Sequence, residues 1–241
     1  MNNLISKLKK KAKFILDSSK EIYKEKGNKK YYTIVGDNKD HINLMIEYMD
    51  HFIKLKNEKY LGLDFEFNSK KIALFQINFE SELPDNFIFV FYPPDLSKDQ
   101  KKTLINLLTD QVSLKIIHGG ESLDLPYLFD ELIIDPKNIR LLTNRLVDTR
   151  YLCEAYYIKN DIDYRCKIYS LLEKMEVISE KKLDELKENE KKMGPIYEII
   201  IDVNNLSDSL LKYSLYDTLF LPSLIKKFPK DELYSKLIPE L

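Results

Sequence analysis

The sequence predicts an α/β fold, a mixed sheet flanked by helices on both faces. Three observations carry that prediction. The stretches 61-LGLDFEFN-68, 72-IALFQINF-79 and 87-FIFVFY-92 read as three successive strands joined by short polar turns, an antiparallel trio. A further short strand, 114-LKIIH-118, ends at Gly119-Gly120 and leads into a helical pattern. Between and after these strands, apolar residues recur at gaps of three and four, as in Ile42, Met45, Ile46, Met49, Phe52 and Ile53. Strands interleaved with amphipathic helices make a layered sheet rather than a bundle or a sandwich.

Taken in order, 31-YYTIV-35 is a β-rich run followed by the turn residues Gly36, Asp37 and Asn38, and a helix over residues 40 to 56 follows. Leu61, Leu63, Phe65 and Phe67 alternate with Gly62, Asp64, Glu66 and Asn68, a strand period. Asn68, Ser69, Lys70 and Lys71 form the hairpin turn. Ser97 is an N-cap for a helix through Leu108, and a helix starting at Ser122 contains Asp124, Leu125, Tyr127, Leu128 and Leu132. Residues 149-TRYLCEAYY-157 read as helix. The last long helix spans about Ser207 to Phe228, with a break expected at Pro222.

Residues 1–30 stand apart in composition. Ten lysines against Asp17, Glu21 and Glu25 leave a local charge of +7, while the whole chain of 241 residues carries only −1. Leu4, Ile5, Leu8, Ala12, Phe14, Ile15 and Ile22 fit a helical stripe ringed by lysines. This segment reads as a lysine-rich arm or helix, either solvated or contacting phosphates; 7-KLKKKAK-13 also has the composition of a nuclear-localisation patch. Residues 31–228 form the main domain, and 229–241 a short C-terminal tail without an accessory domain.

The remaining composition excludes some classes. Hydrophobic residues at 44% and charged residues at 32% describe a globular chain, with no run of about 18 apolar residues to span a membrane. Cys153 and Cys166 make no metal-ligand spacing with His41, His51 and His118. Two reduced thiols are the expectation, and with the lack of a secretory apolar region they imply an intracellular compartment, cytoplasmic or nuclear.

Two carboxylates inside an apolar strand need an explanation. Asp64 and Glu66 share one face, with Cβ atoms roughly 6.6 Å apart. Like charges at that spacing repel, so the face is either solvated or holds a divalent cation, for which carboxylates are hard ligands. Further candidates occur later. Asp124 lies near the start of the helix after Gly119-Gly120, where an acid complements the helix dipole. Tyr213 and Asp217 are four apart on one helix face, as a hydrogen-bonded pair could be.

Together, LGLDFEF, HGGESLDLPYL and YSLYD resemble the motifs of the DEDD exonuclease superfamily in its tyrosine-containing branch. The similarity is greatest to ribonuclease D and Werner-type exonuclease domains. It covers about residues 31 to 228, with Gln76 and 147-VDTRYL-152 as supporting likenesses. The connection from His118 to Asp124 is one residue longer than in many relatives, which makes Glu121 a rival to Asp124. Residues 158–206 lack the family's substrate-side motifs.

The resemblance implies a ribonuclease H-like fold and a metal-dependent 3′–5′ exonuclease releasing nucleoside 5′-monophosphates. It implies two Mg²⁺ or Mn²⁺ ions held by Asp64, Glu66, Asp124 and Asp217, with Tyr213 orienting the attacking water. The partner it implies is a nucleic acid with a free 3′ end, single-stranded, RNA or DNA. The alternative is an inactive nucleic-acid-binding or protein-interaction module on the same fold. His118 is expected to satisfy loop backbone or to touch a substrate phosphate.

Overall fold

Seven strands form one mixed sheet in the order β1-β2-β5-β4-β3-β6-β7. The computed structural model describes residues 2–25 and 28–229. The strands are β1 (Phe14–Asp17), β2 (Lys30–Val35), β3 (Lys59–Asn68), β4 (Lys71–Glu80), β5 (Asp85–Phe91), β6 (Ser113–Ile117) and β7 (Leu146–Asp148). The early helices are α1 (Asn2–Lys11), α2 (Ser18–Glu21), α3 (Lys39–Ile53), α4 (Lys98–Leu108), α5 (Asp124–Tyr127) and α6 (Pro136–Thr143). The later ones are α7 (Thr149–Lys159), α8 (Ile168–Lys174), α9 (Glu180–Met193), α10 (Asp208–Leu219) and α11 (Leu221–Ile225).

The trio β3, β4 and β5 is antiparallel, while β3–β6, β6–β7 and β2–β5 are parallel. The hairpin from β3 to β4 closes on Ser69 and Lys70, with φ of 48° and 70°. Positive φ at both central residues matches the right-handed strand twist, although neither residue is the glycine or asparagine such turns favour. Ser97 caps α4 in a reciprocal pair with Gln100, as its position predicts.

The alternation in β3 sorts its side chains to two layers. Leu61, Leu63 and Phe65 enter the core beneath α3 and α4. There the Tyr48 ring sits 4.7 Å from Phe87 and 5.4 Å from Phe79, centroid to centroid. Tyr60, Gly62, Asp64 and Glu66 face the other layer, where α10 and α11 pack on the sheet.

Three features differ from the sequence expectation. Phe14 and Ile15, assigned to a helical stripe, lie in β1, which pairs antiparallel with β2. The strand's hydrogen bonds to β2 outweigh the helical spacing, and α1 ends before it at Lys11. The break expected at Pro222 does occur, but two residues earlier, at Phe220, where it divides the last helix in two. Cys153 and Cys166 are not reduced thiols but a disulfide, with Cα atoms 6.0 Å apart. After α7 the chain turns back at Asn160 and Asp161, and this return brings Cys166 against the helix carrying Cys153. A spacing of 13 residues does not reveal that return, and the compartment inferred from reduced thiols loses that premise. Among the described residues no helix is long and apolar enough to cross a membrane. The expected tail lies, beyond Pro229, outside the described residues.

Candidate metal centre and active site

Gly62 determines how closely α10 approaches the sheet. A Cβ there would stand 2.5 Å from the Thr218 carbonyl oxygen, so any side chain would push the helix away. Opposite Gly62 on β4 is Asn78, whose Nδ2 donates to the carbonyls of Thr218 (3.3 Å) and Leu219 (3.1 Å). Thr218 needs that donor because Pro222, four residues on, has no N–H to offer. Glycine, asparagine and proline thus seat the end of α10 on β3, and Asp217 arrives beside Asp64.

One carboxylate oxygen from each of Asp64, Glu66 and Asp217 lies within 4.8 Å of the others. Asp124 is not in that group, but its charge acts on both Asp64 and Glu66. It opens α5 after a turn built by glycines. Gly119 has φ of 73°, and the Gly119 and Gly120 N–H groups donate to the two oxygens of Asp148 at 2.9 and 3.0 Å. Asp148 also caps α7 through the Arg150 N–H. Glu121, the rival acid, is exposed and paired with Arg150. His118 satisfies local structure, its Nε2 bonded to the Cys166 carbonyl and its Nδ1 to the Thr149 hydroxyl, each at 2.9 Å. Burial holds it below the usual histidine range, and the neutral ring donates from Nε2 to the Cys166 carbonyl.

The electrostatics are those of anions gathered without counter-charge. Burial, then the charges of Glu66, Asp217 and Asp124, hold the Asp64 carboxyl well above its ordinary range. Glu66 rises for the same reasons, from burial and from Asp217 and Asp124. Burial, with the charges of Asp148 and Glu121, pushes Asp124 up to about 7. Asp217 is also pushed up to about 7 by burial, against hydrogen bonds from the Tyr169 and Tyr213 hydroxyls that favour its charged form. The Asp217 charge, then burial, keeps the Tyr213 hydroxyl protonated far above neutral pH. Tyr213 in turn donates a hydrogen bond to Asp217.

A divalent cation fits this donor set. About 2.1 Å separates Mg²⁺ from each ligand, so opposite ligands stand about 4.2 Å apart, close to the spread of the three oxygens. A cation reverses the repulsion that raises these carboxyls. Gln76, directly across from Asp64 on β4 and fully buried, has no partner for either amide atom among the described residues. A polar group in that position suits a hydrated ion nearby.

Asp64, Glu66 and Asp217 thus converge, with Asp124 and Tyr213 acting on them. Sequence reasoning missed Tyr169 and Glu190. Tyr169 bonds Asp217 from α8, and Glu190 in α9 acts on Asp217 and Tyr213. Both lie in residues 158–206, where no motif marks them. The one available signal was a tyrosine beside Leu171 and Leu172 on a buried helix face.

Comparison with known proteins gives the fold a class. No protein-family model matches the chain. An uncharacterized protein of Acanthamoeba polyphaga mimivirus, L533, is 35% identical over 173 residues, spanning 67% of this chain and 34% of the relative. The RNase D of Trypanosoma brucei, crystallised with GMP, superposes with a TM-score of 0.55 at 16% identity, over 84% of this chain and 57% of that one. The EXO domain of Aedes aegypti Nibbler superposes with a TM-score of 0.54 at 12% identity, over 86% and 91%. The chain thus spans about a third of its curated relative and over half of the RNase D chain. The fold is the ribonuclease H-like α/β fold of RNase D-type exonuclease domains.

Proposed function

We propose that residues 31–228 form a metal-dependent 3′–5′ exonuclease domain acting on single-stranded RNA or DNA. The observation that carries this reading is the convergence of Asp64, Glu66 and Asp217 within 4.8 Å, from strand and helix segments some 150 residues apart. The fold likeness to an RNase D crystallised with GMP supports it, since a nucleoside monophosphate is the product class such trimming releases.

Asp64, Glu66 and Asp217 would hold the cation, and Asp124 would add a ligand toward a second one. Bound Mg²⁺ or Mn²⁺ supplies Lewis acidity, making water a nucleophile at neutral pH and offsetting phosphate charge. The chain's own residues do the positioning. Tyr213, held neutral, orients the water by its hydroxyl, and Tyr169 donates a hydrogen bond that favours the charged form of Asp217 against the effect of its burial. Water oxygen adds to the terminal phosphorus as the bond to the preceding 3′-oxygen breaks. That oxygen takes a proton, and a nucleoside 5′-monophosphate leaves.

The test is a 5′-labelled oligonucleotide, RNA and DNA in parallel, with Mg²⁺ or Mn²⁺. A ladder of shortened products that disappears with EDTA and with Asp64→Ala supports the proposal. Intact oligonucleotides of both kinds, with folded protein and either metal, refute it.

A further inference from the structure

The segment between α9 and α10 seats itself firmly yet leaves two large apolar side chains in solvent. Tyr197 is 82% exposed and Ile200 88%, more than any other large hydrophobic residue among those described. Their neighbours point the other way. Ile196 and Ile199 pack against a cluster containing Leu74 and Leu210, and Ile201 is buried within it. Outward exposure here is a property of an anchored strap.

The strap is tied to the elements that carry the acid cluster. Asn68 follows Glu66 by two residues in β3 and so shares its face. Its side chain grips Ile201 twice, Nδ2 donating to the Ile201 carbonyl at 2.8 Å and Oδ1 accepting from the Ile201 N–H at 3.0 Å. Leu74, in the cluster beneath the strap, is the cross-strand neighbour of Glu66. At the other end, Glu190, four residues before Gly194, is close enough to act on Tyr213 and Asp217. Residues 194–201 therefore run from the helix that carries Glu190 to the strand that carries Asp64 and Glu66.

An aromatic ring and an aliphatic side chain held out over a rigid backbone are what an unpaired base needs to stack on. Stacking is indifferent to base identity because every base has a π-face. Charge favours the same occupant: Lys70 and Lys71 are exposed at the hairpin tip immediately after Asn68, where a phosphate backbone would pass.

We infer that Tyr197 and Ile200 form a base-stacking platform for the last nucleotides of a strand whose 3′ end lies at Asp64, Glu66 and Asp217, with Asn68 as the positioning residue that fixes the platform to the metal centre. This inference rests on the exonuclease reading and adds where the substrate's bases lie.

Binding of a 5′-fluorescein-labelled single-stranded dodecamer to the full chain, followed by anisotropy with Ca²⁺ in place of Mg²⁺, tests it. Tyr197→Ala weakens binding about 5- to 100-fold, while Tyr197→Phe binds as wild type. Against a dodecamer abasic at its last three nucleotides, Tyr197→Ala and wild type bind equally. The manganese-induced rise in Tm is the same in all three proteins, which separates lost stacking from a damaged metal centre. Wild type that binds and trims while Tyr197→Ala binds the normal dodecamer equally well overturns the platform alone. So does an equal loss on the abasic strand. Wild type that neither binds nor trims overturns the platform and the exonuclease reading together.

Discussion

Replacing Asp64 by Asn stabilises the protein in the absence of metal and removes its response to metal. The cause is the repulsion described above. Two full charges with oxygens no more than 4.8 Å apart repel by about 3.5 kcal/mol at an effective dielectric constant near 20. Asp64 faces two such neighbours, Glu66 and Asp217. The carboxyls relieve part of this by binding protons, as their raised pKa values show, and solvent screens more. A net gain of about 2 kcal/mol is the reasonable expectation for Asp64→Asn. For a chain of this length that raises Tm by about 4–8 °C in EDTA.

The gain has a sign in pH. Asp217 titrates near 3.8 when unfolded and is pushed up to about 7 in the fold. A carboxyl with a raised folded pKa contributes stability below its unfolded pKa and loses it as pH rises through the folded value. Wild type without metal therefore loses stability between about pH 4 and 7. The advantage of Asp64→Asn is small near pH 4 and grows as pH rises through 7. Saturating Mn²⁺ at 100 times its Kd adds about 2.7 kcal/mol to wild type and nothing comparable to the variant. Thermal unfolding across pH, with EDTA or Mn²⁺, measures all of this. A lower Tm for Asp64→Asn in EDTA near pH 8, or an equal manganese response in both proteins, refutes the reasoning.

Other substitutions probe the remaining parts. Tyr213→Phe keeps the manganese-induced rise in Tm but slows trimming about 100-fold or more, read by single-turnover digestion. Tyr169→Phe removes a hydrogen bond that favours the charged Asp217, so calorimetric Mn²⁺ affinity falls about 5- to 10-fold near pH 7 and recovers toward pH 9. Cys166→Ser lowers unfolding free energy by about 2–4 kcal/mol in non-reducing buffer, and dithiothreitol lowers wild type by the same amount without affecting the variant. Ser69→Asn raises stability by about 0.5–1 kcal/mol, because Ser69 holds φ of 48° in the hairpin turn and asparagine tolerates that region better.

Local patterns were legible where one residue's environment was decided nearby. The alternation in β3 gave the strand, its two faces and the pairing of Asp64 with Glu66. Ser97 and Gln100 marked the start of α4, and the four-residue spacing put Tyr213 and Asp217 on one side of α10. What the chain decides at long range was not legible. The approach of α10 depends on Gly62 meeting Thr218 and on Asn78 serving a carbonyl that Pro222 leaves unpaired. Each of those residues looks ordinary in its own segment. The disulfide depends on a chain reversal that no spacing announces. Tyr169 acts through Asp217 from a helix with no motif. β1 was misread because Phe14 and Ile15 continue a helical spacing, and only the presence of β2 alongside makes a strand the better use of their backbone.

The proposed chemistry requires cations held jointly by Asp64, Glu66, Asp124 and Asp217. Anomalous diffraction from manganese-soaked crystals near pH 8 observes this directly. A manganese peak ligated by Asp64, Glu66 and Asp217, with Asp124 reaching a second peak or its water shell, is the result expected. Manganese bound elsewhere, with these carboxylates close together and free of any ion, would contradict it.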